Sequence, residues 1–178
     1  MRKTIALLLG VGLAVTAPQT LWAGVTETRE NAFSIQSTVT IKAAPATVFR
    51  EFGEVSRWWD PEHTWSGSAS NMSLQMQAGG CFCEKLADGG SIQHGRVIYV
   101  QPGVMLRLDS PLGPLQEMPV TGVLTFKLEP AAGGTLVTMT YRVSGAFTME
   151  SAKLAPIVDS VMTTQLERLR THVDALAK

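Results

Sequence analysis

The sequence predicts an α+β domain in which a curved antiparallel sheet of about six to seven strands wraps one long C-terminal helix. Three observations carry that expectation. Segments of period-two hydrophobicity recur through most of the chain, separated by Gly and Pro turns. Two short helices interrupt them after the first strand. The last segment changes to a period of three and four and runs to the terminus without a break.

Phe33, Ile35, Val39 and Ile41 alternate with Ser34, Gln36, Thr38 and Thr40, which reads as a half-buried strand. Lys42-Ala43-Ala44-Pro45 ends it, and Pro45 opens a short helix over Ala46 to Phe52. Gly53 stops that helix, a second follows over Glu54 to Trp59, and Asp60-Pro61 is a turn. Met72, Leu74 and Met76 alternate with polar neighbours. Gly79-Gly80 then precedes a strand over Cys81 to Leu86, and Asp88-Gly89-Gly90 signals a hairpin returning as Ile92 to Val100. Further strands are read over Val104 to Asp109, Val120 to Leu128 and Val137 to Val143. Val158, Val161, Met162, Gln165, Leu166, Leu169, Val173 and Leu176 form one stripe of the closing helix, with Pro156 placed in its first turn.

The N-terminus reads as a secretory leader: Arg2 and Lys3, an apolar run from Ile5 to Val15, and a small-residue exit at Ala23-Gly24. The apolar run is shorter than the roughly 20 residues of a comfortable span, so cleavage after Ala23 is expected, with no stable membrane insertion afterwards. The expected organisation is therefore a signal peptide, 1–23, and a single domain, 24–178, in the periplasm or secreted. Without Arg2 and Lys3 the 15 basic residues fall to 13 against 15 acidic ones, and no basic stripe suited to nucleic acid remains.

Certain residues invite chemistry. Cys81 and Cys83 share one face of a strand. Extended residues two apart lie about 6.5–7 Å from each other, at the edge of disulfide reach, so a bridge needs a bulge or bend. A disulfide, buried thiols, and soft metal ligands all remain open. If Asp88-Gly89 form a two-residue turn, Cys83 faces His94 and Cys81 faces Arg96; if Gly89-Gly90 form it, Cys83 faces Arg96. Only the first register assembles Cys81, Cys83 and His94. Trp58, Trp59 and Trp65 surround Asp60, Glu62 and His63, and either pack the interior or wall a ligand pocket. By facing, Phe126, Met139, Tyr141 and Met162 join them as candidate pocket residues. No phosphate-binding loop, nucleophile elbow or HExxH zinc motif is present, and no cofactor is called.

Taken together, Ala43-Ala44-Pro45-Ala46-Thr47-Val48-Phe49, Val55-Ser56-Arg57-Trp58-Trp59, Gly79-Gly80, Gly95-Arg96-Val97 and Gln165-Leu166-Glu167-Arg168-Leu169 give almost the whole of residues 24–178 a resemblance to a known family. It resembles the START-related SRPBCC superfamily of helix-grip proteins, in its polyketide-cyclase-like and chaperone-ATPase-activator-like branch. The resemblance implies an internal pocket for a small apolar or amphipathic molecule and carries over no catalytic motif. The leading expectation is an exported hydrophobic-ligand-binding protein. One alternative is a cyclase, hydratase or hydrolase using the same pocket, with His63, Glu62, His94 or Tyr141 as the acid or base. A second is a periplasmic metal or thiol-redox role for Cys81, Cys83 and His94.

Overall fold

The structure, a computed structural model, describes residues 22–176; most of the expected leader lies outside the described residues. The chain opens with β1 (Trp22–Arg29), β2 (Ala32–Ile41) and α1 (Pro45–Gly53). Single-turn helices at Val55–Arg57, Pro61–His63 and Ala69–Asn71 lead into β3 (Met72–Leu74). Five strands follow: β4 (Cys81–Lys85), β5 (Ser91–Gln101), β6 (Met105–Asp109), β7 (Val120–Ala131) and β8 (Gly134–Gly145). A further short helix, Gly113–Glu117, lies between β6 and β7, and α2 (Ser151–Leu176) closes the chain. The fold is α+β and has the layout of a helix-grip.

All eight strands form one antiparallel sheet in the order β1-β2-β8-β7-β6-β5-β4-β3. Alternation decides the facing: Phe33, Ile35, Val39 and Ile41 from β2 meet Val137, Met139, Tyr141 and Val143 from β8 on the inner face. The α2 stripe of Leu154, Ala155, Met162, Leu166, Leu169 and Val173 covers that face. Burying each such Leu or Val contributes about 1.5–3 kcal/mol, so the apolar stripe rather than helix propensity fixes α2. Polar ties set its position: Ser37 Oγ and Thr163 Oγ1 are 3.1 Å apart, and Asp174 accepts from the Lys42 N–H at 2.7 Å.

Three expectations are corrected. β1 was not read from the sequence, because apart from Gly24 its described side chains are exposed and show no alternation; it is an edge strand bulged between Val25 and Glu27. The expected cut after Ala23 would leave the run from Gly24 to Arg29 paired with β2. The second short helix shrinks to Val55–Arg57. Pro156 sits in the second turn of α2, not the first, because the helix already begins at Ser151. Its missing N–H leaves the Ala152 carbonyl without a helical donor, which is tolerated because Ala152 lies on the exposed side.

Candidate functional site

Between the first half of α2, the Leu112–Met118 segment and the Trp59–Trp65 segment lies a cavity of about 300 Å³. Leu112, Leu115, Met118, Leu154, Val158, Val161 and Met162 supply most of its apolar wall, while Trp59, Trp65, His63, Glu62 and His94 complete it. Trp65 and Ile157 are half exposed at 49% and 56%, which marks the mouth.

Each wall is held by specific bonds. Gln165 of α2 accepts from the Asp60 N–H through Oε1 at 2.8 Å, so its Nε2 is the donor to His63 Nδ1, also at 2.8 Å. Arg168 Nε donates to the Trp58 carbonyl at 2.9 Å, and Trp59 Nε1 donates to the His63 carbonyl at 3.0 Å. The helix thereby fastens the aromatic segment to itself. On the other side, the Tyr141 hydroxyl donates to the Ser110 carbonyl at 2.7 Å and accepts from the Leu112 N–H at 3.0 Å. Desolvation by burial pushes this phenol well above its ordinary range, outweighing the Leu112 bond. Tyr141 shapes the cavity wall without reaching the cavity.

The innermost polar group is a pair that no sequence motif announced. Glu84 of β4 is buried and its carboxylate accepts from the Trp65 N–H at 3.1 Å and the Ser66 N–H at 2.5 Å. His94 Nε2 lies 2.8 Å from Glu84 Oε2. Desolvation pushes the Glu84 carboxyl up, but the hydrogen bonds from Ser66, Trp65 and His94 prevail and hold it below its ordinary value. An ionised carboxylate only accepts, so His94 donates through Nε2. Among the described residues nothing hydrogen-bonds to His94 Nδ1. The ring packs against Phe82 at 5.2 Å between centroids, and the His94 carbonyl accepts from Ser110 Oγ at 2.6 Å.

A β-bulge puts His94 there. Phe82 pairs with Gly95 and Cys83 with Gln93, so His94 is an extra residue on β5, and both His94 and Gly95 face inward. The register also corrects the expected cysteine cluster. Three residues, Ala87–Gly89, form the hairpin loop, with Asp88 and Gly89 at positive φ. Cys81 then faces Arg96 as expected, but Cys83 faces Gln93 rather than His94. The two cysteines form a disulfide across a Cα separation of 5.4 Å, while His94 points to the opposite face of the sheet. The proposed set of two sulfurs and an imidazole is not assembled. Among the described residues no group of three or more His, Cys, Asp or Glu converges as metal ligands.

Of the seven residues expected to line a pocket, Trp59, Trp65 and Met162 line this cavity. Trp58, Phe126, Met139 and Tyr141 are placed in the packed interior. Trp58 Nε1 donates to the Glu51 carbonyl at 2.9 Å, and Phe126 stacks on Phe52 at 4.9 Å. Facing alone identified the inner side of the sheet, and α1 covers part of that side through Phe52 on Phe126. Glu62 and His63 sit exposed at the mouth. Glu84 went unnoticed, although it shares facing with Phe82 in β4 and so put an acid on an apolar face.

A model of the family described as "Polyketide cyclase / dehydrase and lipid transport" matches residues 32–174. The chain belongs to this family. No curated protein matches it. Solved structures share the fold at low identity. CalU16 from Micromonospora echinospora is 15% identical with a TM-score of 0.58, over 87% of each chain. EF2215 from Enterococcus faecalis, described as a conserved protein of unknown function, is 16% identical with a TM-score of 0.61, over 85% of this chain and 77% of that one. The Aha1 dimer from Colwellia psychrerythraea is 17% identical with a TM-score of 0.58, over 79% of this chain and 96% of that one. Membership in the polyketide cyclase and lipid transport family agrees with a hydrophobic small molecule as the thing bound. No helix among the described residues is long and apolar enough to cross a membrane.

Proposed function

We propose that this protein is an exported member of its family that binds a small, mostly apolar molecule in the cavity beneath α2. The observation that carries the reading is the cavity itself: about 300 Å³, walled chiefly by Leu, Val and Met side chains, with a half-exposed tryptophan at its mouth. That size sits at the lower end for ligand pockets. It equals about ten waters at roughly 30 Å³ each, and suits a ligand on the order of ten to fifteen non-hydrogen atoms. Export rests on the leader-like residues 1–23 and on the two cysteines, whose pairing suits an oxidising compartment.

Native mass spectrometry of protein purified gently from a periplasmic extract tests both parts. Expected is a chain beginning at Gly24 that carries one organic molecule, which leaves on denaturation. A full-length chain retained in the cytoplasm sinks export. A bare chain that also takes up no small aromatic probe in solution sinks the binding reading.

A further inference from the structure

The cavity has apolar walls and one buried, oriented base, and the two together specify more than hydrophobicity. Resting on the binding role proposed above, we infer that His94, anchored by Glu84, is the polar anchor of the cavity. Its ligand is then a small aromatic or enolic molecule whose weakly acidic hydroxyl gives its proton to His94 Nδ1.

Glu84 is out of solvent, takes three donors, and uses one of them to fix the His94 tautomer. A carboxylate behind an imidazole stabilises the imidazolium and strengthens the far nitrogen as a proton acceptor. The far nitrogen is Nδ1, which has no protein partner among the described residues, on a side chain that lines the cavity. A histidine that only completes the core would be expected to spend both ring nitrogens on protein. The bulge on β5, the Ser110 bond to its carbonyl and the Phe82 ring all fix the imidazole in this position.

The surroundings select the ligand class. Among the described residues no lysine or arginine lines the cavity, so a carboxylate or phosphate would enter without a fixed counter-charge. A neutral hydroxyl enters without that cost. Inside, its O–H bond breaks, an N–H bond forms at Nδ1, and the ligand oxyanion stays beside an imidazolium whose charge Glu84 balances. The other titratable groups facing this position are Glu62 and His63 at the mouth. The cavity-lining residues of α2 and of the Leu112–Met118 segment carry none, and the Tyr141 hydroxyl is committed to Ser110 and Leu112.

The test uses 4-nitrophenol, whose phenolate absorbs in the visible, and nitrobenzene, which has the same ring and no hydroxyl. In the native protein the bound phenol should titrate at least one pH unit below the free probe, a tenfold gain in acidity. In His94→Phe, desolvation acts alone and the midpoint should move above the free value. His94→Gln keeps a donor for Glu84 and should also lose the downward shift, which guards against a misfolded Phe variant. Lys127→Gln, on the exposed face of β7 and away from the cavity, should keep it. Nitrobenzene that binds while the phenol shows no downward shift overturns this inference and leaves the binding role standing. A shift that survives His94→Gln overturns it as well. If neither probe binds, this inference falls, and the binding role falls with it only where the purified chain is also bare.

Discussion

Glu84 Oε2 and His94 Nε2 stand 2.8 Å apart with both side chains out of solvent, and the same carboxylate receives the backbone of Trp65 and Ser66. One buried acid thus ties the β5 bulge to the segment that rims the cavity. Its hydrogen bonds hold the carboxyl below its ordinary value of 4.5, so the unfolded chain takes the proton more readily than the folded one. The stability this gives is complete above the ordinary value and is lost as pH falls through the lower, folded one. Thermal unfolding across the acid range should therefore show a steep decline below about pH 4.5 in the native protein. Glu84→Gln should flatten that decline. At neutral pH it should cost about 1–3 kcal/mol, since Gln puts an amide N–H₂ where a carboxylate oxygen received a donor. That corresponds to a Tm lower by about 2–4 °C per kcal/mol.

Gly95 is a second consequence of the bulge. A Cβ there would overlap Ser110 Oγ and stand 2.8 Å from the Asp109 carbonyl. Ser110 Oγ is also the donor to the His94 carbonyl. Gly95→Ala should cost about 1–3 kcal/mol by overpacking. It should also broaden or shift the His94 imidazole resonances in NMR spectra, whereas Gly24→Ala, with open space around its Cβ, should do neither.

What the sequence disclosed follows from where one face is apolar. β2, β7 and β8 alternate because one side faces the core that α1 and α2 cover and the other does not, and the three-four stripe of α2 is part of the matching half. The described side chains of β1 form no apolar face, and no alternation marks the strand in the sequence. The cavity was legible in part, through Trp59, Trp65 and Met162 as wall residues and Glu62, His63 and His94 as candidate acids or bases. One whole side of the wall comes from Leu112–Met118, a segment with no repeating pattern, whose place is set by Tyr141 from a distant strand. The His94–Glu84 pair depends on an inserted residue and a three-residue loop. Both shift register locally, and no period-two reading contains them.

Asp159 on α2 carries an Oδ1 that is buried without a partner among the described residues, and desolvation pushes its carboxyl above the ordinary 3.8. The sign is opposite to that of Glu84. The folded state holds this proton more tightly, so stability falls as pH rises from the ordinary value through the raised one and is level above it. Asp159→Asn removes the penalty. Its stability at neutral pH should exceed the native value by about 1 kcal/mol or less, because solvent reaches part of the carboxylate, and its Tm should rise accordingly. The difference should vanish in acid, as a pH series of melting curves would show.

The Cys81–Cys83 disulfide closes a very short loop on the face of β4 away from His94. Chain entropy for so few residues amounts to about 1.5 kcal/mol at most. The denatured intact mass should fall two daltons short of the reduced value. The double substitution Cys81→Ser and Cys83→Ser should lower Tm by only a few degrees and leave nitrobenzene affinity unchanged. A loss of binding in that variant would contradict the separation of the two faces.

Val161 and Met139 distinguish the cavity from the packed interior. Val161 lines the cavity from α2 and is half-buried, whereas Met139 is fully buried against the core. An indole at position 161 has space to enter and apolar surface to cover. Val161→Trp should keep or raise Tm while weakening nitrobenzene binding at least tenfold, about 1.4 kcal/mol. Met139→Ala removes packed atoms and should cost about 2–5 kcal/mol of stability, yet leave binding within twofold. Calorimetric titration of both variants beside their melting curves checks the pair. Equal loss of affinity in the two would mean that the ligand reaches into the middle of the sheet, where side chains now close the space.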